Sequence, residues 1–151
     1  MARKRMLSPE FFTSATMNGL PMQTMLTFAG IWCWVDDFSR GEDDESLVKA
    51  SVWPRRQSVK EKHVRADMDR LADVGVLCQY TVCGVRLIHV TSWAEHQKIS
   101  HPTKSKLPPC EVHEPEAWLE FLNNDDPALH KFRTDARFTP EPLRNHSGTT
   151  P

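Results

Sequence analysis

The spacing of apolar residues predicts a buried helix in the first third of the chain. Between positions 22 and 33, apolar side chains recur at intervals of three and four, directly after Pro21, which the first turn of a helix tolerates. Phe28 and Ile31 widen the apolar stripe, so we expect other elements to cover most of this helix. The helix should end near Asp36, where a polar and acidic loop begins.

Two further helices are expected after this loop. The apolar segment 47–53 is too short for its periodicity to separate helix from strand, and we favour a short helix that Pro54 closes. Ser58 and Glu61 have the spacing of a capping box, which predicts that a third helix starts here with Ser58 as its N-cap. We refer to this third helix as the second amphipathic helix. Gly75 is suited to end that helix, whose outer face is charged.

A β-hairpin is predicted directly after the second amphipathic helix. Segments 76–82 and 85–90 are rich in β-branched and apolar residues, and only Cys83 and Gly84 separate them. Both faces of the hairpin are partly apolar, and we expect one face to pack on the helices. Segment 93–97 then predicts one more turn of helix.

This order of elements predicts an α+β fold, mainly α with a small β-hairpin, of the winged helix-turn-helix type. We divide the chain into an N-terminal arm (1–20), a winged-helix domain (21–100), a linker (101–113), and an acidic helix with a disordered tail (114–151). The tail is expected to be disordered because its last dozen residues have few apolar side chains to bury.

Charge is unevenly distributed along a chain of ordinary globular composition, with 39% hydrophobic and 26% charged residues. The net charge of −1 argues against a general nucleic-acid binder. However, residues 1–106 hold 15 Lys and Arg against 12 Asp and Glu, whereas residues 107–151 hold 4 against 8. We therefore expect any DNA-binding surface to lie in the first part.

The sequence predicts a cytoplasmic protein without membrane contact. No apolar run approaches the roughly 18 residues that a membrane span requires. The basic start runs into Ser8, Pro9 and Glu10 rather than into the apolar segment of a secretory signal. The four cysteines include no CxxC pair, and we expect them to remain thiols in a reducing cytosol.

The second amphipathic helix is the candidate DNA-reading element, because the helix before the hairpin of a winged helix enters the major groove. Its outer-face cations could meet guanine edges or phosphates, the preceding loop could contact phosphates, and the basic start could reach phosphates or a minor groove. Arg86 is the only cation near the hairpin tip. The candidate DNA-binding residues are Lys60, Lys62, Arg65, Arg55, Arg56, Arg86, Arg3, Lys4 and Arg5.

Histidine and cysteine residues near the predicted linker do not form a known zinc pattern. Cys and His are the usual zinc ligands, but the intervals within this group match no standard zinc motif. The group comprises His96, His101, Cys110 and His113. We therefore expect no metal site and no cofactor. No nucleophile motif and no glycine-rich phosphate loop occur, so we do not expect an enzyme.

Several short motifs, in their order along residues 2–106, resemble a known family. They are Pro9-Glu10-Phe11-Phe12, Leu26-Thr27-Phe28-Ala29-Gly30-Ile31-Trp32 followed by Asp36-Asp37, Gly41, Lys49-Ala50 before Trp53-Pro54, Leu71-Ala72-Asp73-Val74-Gly75-Val76-Leu77, and Trp93-Ala94-Glu95-His96-Gln97-Lys98-Ile99. The chain resembles the N-terminal winged-helix domain of phage replisome-organiser and replication-initiation proteins, the DnaD-like group of actinobacterial phages.

The resemblance implies a phage-encoded protein that binds double-stranded DNA in the bacterial host cell, in replication initiation or in transcription regulation. Host replication proteins are the partners it implies. Full-length replisome organisers carry a second helical domain, whereas an acidic tail follows the resemblance here. A bare DNA-binding or regulatory module is therefore an open alternative.

A protein-interaction module is the alternative from a different functional class. The near-neutral charge favours it, and some DnaD-like proteins use the winged helix mainly for self-association. The module would form a homodimer or bind a host protein through the predicted acidic helix. The candidate partner-binding residues in that helix are Trp118, Leu119 and Leu122.

Overall fold

The computed structural model describes residues 2–124, 127–130 and 132. The helices are α1 (Glu10–Thr13), α2 (Ala15–Asn18), α3 (Met22–Trp34), α4 (Glu45–Val52), α5 (Glu61–Asp73), α6 (Trp93–His96) and α7 (Pro115–Asn123), with a 3-10 turn at Pro127–Leu129. The strands are β1 (Arg40–Glu42), β2 (Leu77–Val82) and β3 (Val85–Val90). The fold is therefore mixed α and β, and most of the predicted tail, residues 133–151, lies outside the described residues.

The helices expected from apolar periodicity are present. Helix α3 follows Pro21 and ends at Trp34, close to the predicted end. The short apolar segment forms helix α4, and the turn of helix expected near residue 93 is α6. Among the described residues, no helix is long and apolar enough to cross a membrane.

Helix α5 begins later than predicted. Lys60, not Ser58, is its N-cap, so the predicted capping box is wrong. The ring of His63 accepts the hydrogen bond of the Lys60 backbone N–H over 2.9 Å, so His63 takes the place that Glu61 has in the predicted capping box. At the other end Gly75 has a φ of +83°, the left-handed conformation expected of a residue that terminates a helix.

The sheet has three antiparallel strands in the order β1-β3-β2. The predicted hairpin is confirmed, and Cys83 and Gly84 turn the chain with φ values of +53° and +79°. Strand β1 was not expected. It has three residues, and it pairs with β3 so that Arg40 lies opposite His89.

One face of the sheet packs against α3, α4 and α5. Leu77, Ile88 and Val90 point from the strands into this first hydrophobic cluster. Ile31 of α3 and Leu71 of α5 are fully buried there. Burial of large apolar side chains at about 25 cal/mol per Å² is the main source of stability for this face.

A buried carboxylate connects the three helices beneath this cluster. Asp67 of α5 is fully buried and accepts hydrogen bonds from the hydroxyls of Thr24 and Thr27, each over 2.7 Å. The Thr27 hydroxyl in turn accepts a bond from the indole N–H of Trp53 over 2.9 Å. Arg70 pairs with the same carboxylate over 3.2 Å. The charge of Asp67 is thus compensated, as a buried charge requires.

The other face of the sheet is covered by the segment that follows α6. Cys78, Tyr80 and Leu87 point into a second hydrophobic cluster together with Trp118 and Phe121 of α7. The division at residue 100 is therefore corrected: part of the predicted linker and the acidic helix form the second layer of the same unit. Both faces of the hairpin are apolar because both are covered.

Candidate functional site

Four exposed cations lie at the connection between α4 and α5. Arg55, Arg56, Lys60 and Lys62 are exposed, and no acidic residue occurs between Pro54 and Lys60. In the part of the chain that the structure describes, none of these four side chains forms an ion pair. We refer to these four residues as the α4–α5 basic surface.

The backbone of this connection is held in place from below. Trp53 is buried, and its indole N–H bonds to Thr27 of α3. Val59 is also buried, and its N–H bonds to the carbonyl of Arg56 over 3.0 Å. The two buried side chains thus anchor the loop at both ends, and the arginines between them project outward.

Arg65 does not belong to the exposed set, which corrects the prediction for this residue. Its guanidinium contacts Asp43 and Glu45, each over 2.7 Å. Burial lowers the pKa of Arg65, but the hydrogen bonds to Glu45 and Asp43 outweigh burial and raise the pKa above its ordinary value. The side chain therefore fastens α5 to the start of α4 and is already neutralised by two carboxylates.

The basic N-terminal arm is largely docked rather than extended. The Arg5 guanidinium donates to the carbonyls of Trp32 and Val35 at the end of α3, over 2.8 and 2.9 Å, and so compensates the negative end of the helix dipole. Arg3 and Arg5 both pair with Asp37, over 2.6 and 2.9 Å. Both arginines thus have partners within the chain, and their contact with DNA stays a prediction.

Lys4 and Arg86 are also exposed, and both lie far along the chain from the residues of the α4–α5 basic surface. Arg86 donates to the backbone carbonyl of Asp43 over 3.2 Å. The hairpin tip itself contacts the C-terminal segment, since the Cys83 thiol lies 2.9 Å from the carbonyl oxygen of Phe132. Arg86 and the tip therefore have structural contacts of their own.

The predicted partner-binding residues are divided between core and surface. Trp118 is 7% exposed and belongs to the second hydrophobic cluster, which corrects its assignment to a partner surface. Leu122 is partly buried against the same cluster. Leu119 is 61% exposed and is the residue of the three that projects from α7.

Two cysteines and two histidines lie close together between the hairpin and the segment that covers its second face. Cys78 on β2 lies directly opposite His89 on β3, and Cys110 and His113 approach from the loop before α7. One possible ligand atom from each residue lies within 4.8 Å of all the others. The first three side chains are buried and His113 is exposed. His96 and His101, the other two histidines considered from sequence, are exposed and outside this cluster.

The thiols of this cluster are coupled to each other. A hydrogen bond from Cys78 lowers the pKa of the Cys110 thiol, and the neighbouring His89 also lowers it. The same bond raises the pKa of Cys78, as does its burial. The two thiols therefore interact directly within the cluster, and a metal would bind both of them as thiolates.

Hydrogen bonds hold the loop of Cys110 against the sheet. Arg40 of β1 donates to the carbonyl of Leu107 over 3.0 Å and pairs with Glu114 over 2.9 Å. Burial raises the pKa of Tyr80, so its hydroxyl stays protonated and donates to the carbonyl of Pro108 over 2.7 Å. Glu114 also accepts from the backbone N–H of Cys110 over 3.1 Å.

The cluster was not predicted from the sequence because its residues come from two distant regions of the chain. The pairing of the two hairpin strands could nevertheless have indicated part of it. A two-residue loop at Cys83 and Gly84 sets Cys78 opposite His89, and Cys110 and His113 have the short spacing of a ligand pair.

Comparison of the chain with protein-family models, with curated proteins and with solved structures gave no match.

Proposed function

We propose that the chain is a sequence-specific double-stranded DNA-binding protein that contacts DNA through the α4–α5 basic surface. The main support for the proposal is the set of four exposed cations, three of which lie on residues 55–60, a segment without acidic residues, while the exposed Glu61 separates Lys60 from Lys62. Lysine and arginine that neutralise phosphates release condensed counterions, which is the main sequence-independent source of DNA affinity. Replication initiation or transcription regulation in a phage-infected cell is the setting that the resemblance implies.

The order of the elements supports a winged helix-turn-helix. A helix (α3), a short strand, two helices joined by a tight connection, and a hairpin follow one another between residues 22 and 90. In that arrangement the N-terminal residues of the second of the joined helices contact base edges. Lys60 and Lys62 lie at that end of α5, where the backbone N–H groups also favour phosphate.

The proposed interface differs from the one expected from sequence alone. The remainder of the α5 outer face carries Arg65, which two carboxylates neutralise, and the exposed Asp69 and Asp73. We therefore place base contacts at the first turn of α5 and phosphate contacts at Arg55 and Arg56.

The test is selection from random duplexes followed by fluorescence anisotropy of the selected duplex at several salt concentrations. Two variants, Arg55→Ala/Arg56→Ala and Lys60→Ala/Lys62→Ala, each remove two positive charges from the surface. Because each phosphate that the protein neutralises adds about one to the slope of log K against log salt, Arg55→Ala/Arg56→Ala should reduce the slope by about two. Lys60→Ala/Lys62→Ala should relax the selected sequence, because it removes the proposed base contacts.

A matched control is Lys98→Ala/Lys106→Ala, which removes two exposed positive charges elsewhere in the chain. Its slope should equal that of the wild type. Equal slopes for the wild type and both test variants, or no selected sequence at all, would contradict the proposal.

Self-association is the second candidate function, and exposed apolar side chains favour it. Met22 and Leu26, one turn apart on α3, are 85% and 56% exposed. A pair of large apolar side chains in solvent is a feature that interfaces commonly cover. Sedimentation velocity of the wild type and of Met22→Lys/Leu26→Lys tests this candidate: a dimer that becomes monomeric in the variant supports it, and a monomeric wild type excludes it.

A further inference from the structure

We propose that Cys78, His89, Cys110 and His113 form a structural zinc site. Two thiols and two imidazoles are the donor set of many structural zinc centres. Here the four donors come from two strands and a loop, and their ligand atoms lie within 4.8 Å of one another. The site is independent of the proposed DNA-binding function, since none of its residues belongs to the α4–α5 basic surface.

Three of the six distances between the donors are close to the edges of a tetrahedron around zinc, and all six are within 4.8 Å. With Zn–S of about 2.3 Å and Zn–N of about 2.05 Å, the edges are about 3.8 Å for S–S, about 3.3 Å for N–N and about 3.6 Å for S–N. The Sγ atoms of Cys78 and Cys110 are 4.0 Å apart. His89 Nε2 and His113 Nδ1 are 3.2 Å apart. Cys110 Sγ and His113 Nδ1 are 3.6 Å apart.

The orientation of His89 also suits a ligand. Its Nδ1 lies 3.4 Å from the carbonyl oxygen of Val90, so an Nδ1–H can point to that oxygen while Nε2 keeps its lone pair for the metal. A backbone carbonyl on the second ring nitrogen is a common partner of zinc-bound histidine. On the other side of the ring, Tyr80 packs edge-on at 5.6 Å between ring centroids and limits its rotation.

Hydrogen bonds from residues that are not ligands support the loop that carries the other two ligands. Arg40 and Tyr80 hold the carbonyls of Leu107 and Pro108, and Glu114 holds the backbone N–H of Cys110. These contacts place Cys110 and His113 over the strands. Such supporting bonds reduce the ordering that metal binding would otherwise have to impose.

Zinc binding would also leave this buried cluster without net charge. Binding displaces the two thiol protons to solvent, and two thiolates then neutralise Zn²⁺. Four groups from the protein complete a tetrahedron and leave no open position, which makes the site structural rather than catalytic. Its role would be to tie the segment after α6 to the second face of the sheet.

A disulfide between Cys78 and Cys110 is the competing chemistry for the same residues. It requires a sulfur separation of about 2.05 Å, and it would leave the two histidines without a function in the cluster. The observed separation of 4.0 Å fits two zinc-bound thiolates better. Alkylation of the thiols at cell lysis, followed by mass spectrometry, distinguishes the two states.

The first experiment measures the zinc content of the full chain, purified without an affinity tag or added metal, by plasma mass spectrometry. We expect about one zinc per chain in the wild type. Cys78→Ser and Cys110→Ser should lose most of this zinc. Cys33→Ser is the matched control, because Cys33 lies in α3 outside the cluster, and it should keep the zinc content of the wild type.

The second experiment avoids variants in the core. The wild type is stripped of metal and titrated with Co²⁺, which should give the visible bands of tetrahedral cobalt and a thiolate charge-transfer band. His113→Ala alters an exposed ligand, and it should weaken Co²⁺ binding by at least about tenfold. His96→Ala, an exposed histidine of α6, is the control and should bind as the wild type does.

The proposal is overturned by any of three results. These are wild-type protein that neither contains zinc nor gives a tetrahedral cobalt spectrum, His113→Ala with wild-type cobalt affinity, and a Cys78–Cys110 disulfide as the main state in alkylated cell extracts.

Discussion

The two faces of the small sheet are closed in different ways. The face towards the helices presents Leu77, Ile88 and Val90, and α3 and α5 cover it with apolar side chains. The opposite face alternates apolar residues with Cys78 and His89, and a segment with little regular structure covers it. One hairpin thus borders an ordinary hydrophobic core on one side and a mixed polar cluster on the other.

The two layers are held to the sheet by different contacts. The helical layer places the larger set of buried apolar side chains against the sheet, and their burial is its main source of stability. The second layer contributes one short helix, α7, and a loop, so specific polar contacts from Arg40 and Tyr80 supplement its smaller core. A metal site at the same place would serve the same purpose, as in small domains that lack a sufficient core.

The largest effect is expected on the helical side. Leu71→Ala removes a fully buried side chain from the first cluster and should lower the free energy of unfolding by about 3 kcal/mol. Urea denaturation followed by circular dichroism measures the change. The decrease should be the same with zinc and with a chelator, and a decrease that depends on zinc would contradict the separation of the two faces.

Zinc is expected to act only through the second face. Free zinc at 100 times its dissociation constant should raise the free energy of unfolding by about 2.7 kcal/mol. Urea denaturation of the stripped protein with and without zinc gives this increment. Leu71→Ala should keep the increment and Cys110→Ser should lose it. An equal increment in both variants would show that zinc acts elsewhere.

Tyr80→Phe should have a smaller effect on the second face. The change preserves the packing of the ring but leaves the carbonyl of Pro108 without its donor, which should cost about 1.5 kcal/mol. Chemical denaturation measures the cost, and zinc content should stay at the wild-type value. A neutral effect would mean that the bond does not hold the loop.

The smallest effect is a pH dependence at the start of the second layer. Burial raises the pKa of Asp37, but hydrogen bonds from the Thr103 N–H and from Arg3 and Arg5 outweigh burial and lower the pKa below its ordinary value. The stabilisation is therefore present above about pH 4 and is lost as the pH falls further. Asp37→Asn should cost about 1 kcal/mol near neutral pH, because it keeps the shape of the side chain but weakens its charge-assisted hydrogen bonds to Arg3 and Arg5.

Unfolding at neutral and at acidic pH tests this expectation. The difference between the wild type and Asp37→Asn should shrink as the pH falls below about 4. Asp73→Asn, an exposed acid at the end of α5, is the control and should show no such trend. If the difference in unfolding free energy between the wild type and Asp37→Asn stays constant with pH, the ionisation of Asp37 is not the cause of the pH dependence.

The helical layer could be predicted because its signals are local. The three- and four-residue spacing located α3 and α5, and the two-residue loop located the hairpin. The N-cap of α5 was missed because the side chain of His63, rather than that of Ser58, satisfies the backbone there. The three residues of β1 are too few for a periodic signal.

The second layer and the choice of exposed cations depend on contacts between distant residues. Arg65 has the pattern of an outward-facing cation, and only the positions of Asp43 and Glu45 show that it is neutralised. Asp67 sits within a helical pattern that gives no sign of its threonine partners. Cys110 and His113 are recognised as candidate metal ligands only because the fold places them next to Cys78 and His89 of the hairpin.

Hydrogen exchange of backbone amides, measured by mass spectrometry before and after chelation, tests the contrast between the two faces most directly. Peptides covering residues 105–123 should lose protection when zinc is removed, while peptides from α3 and α5 should keep theirs. Unchanged protection in residues 105–123, or an equal decrease in α3 and α5, would contradict this contrast.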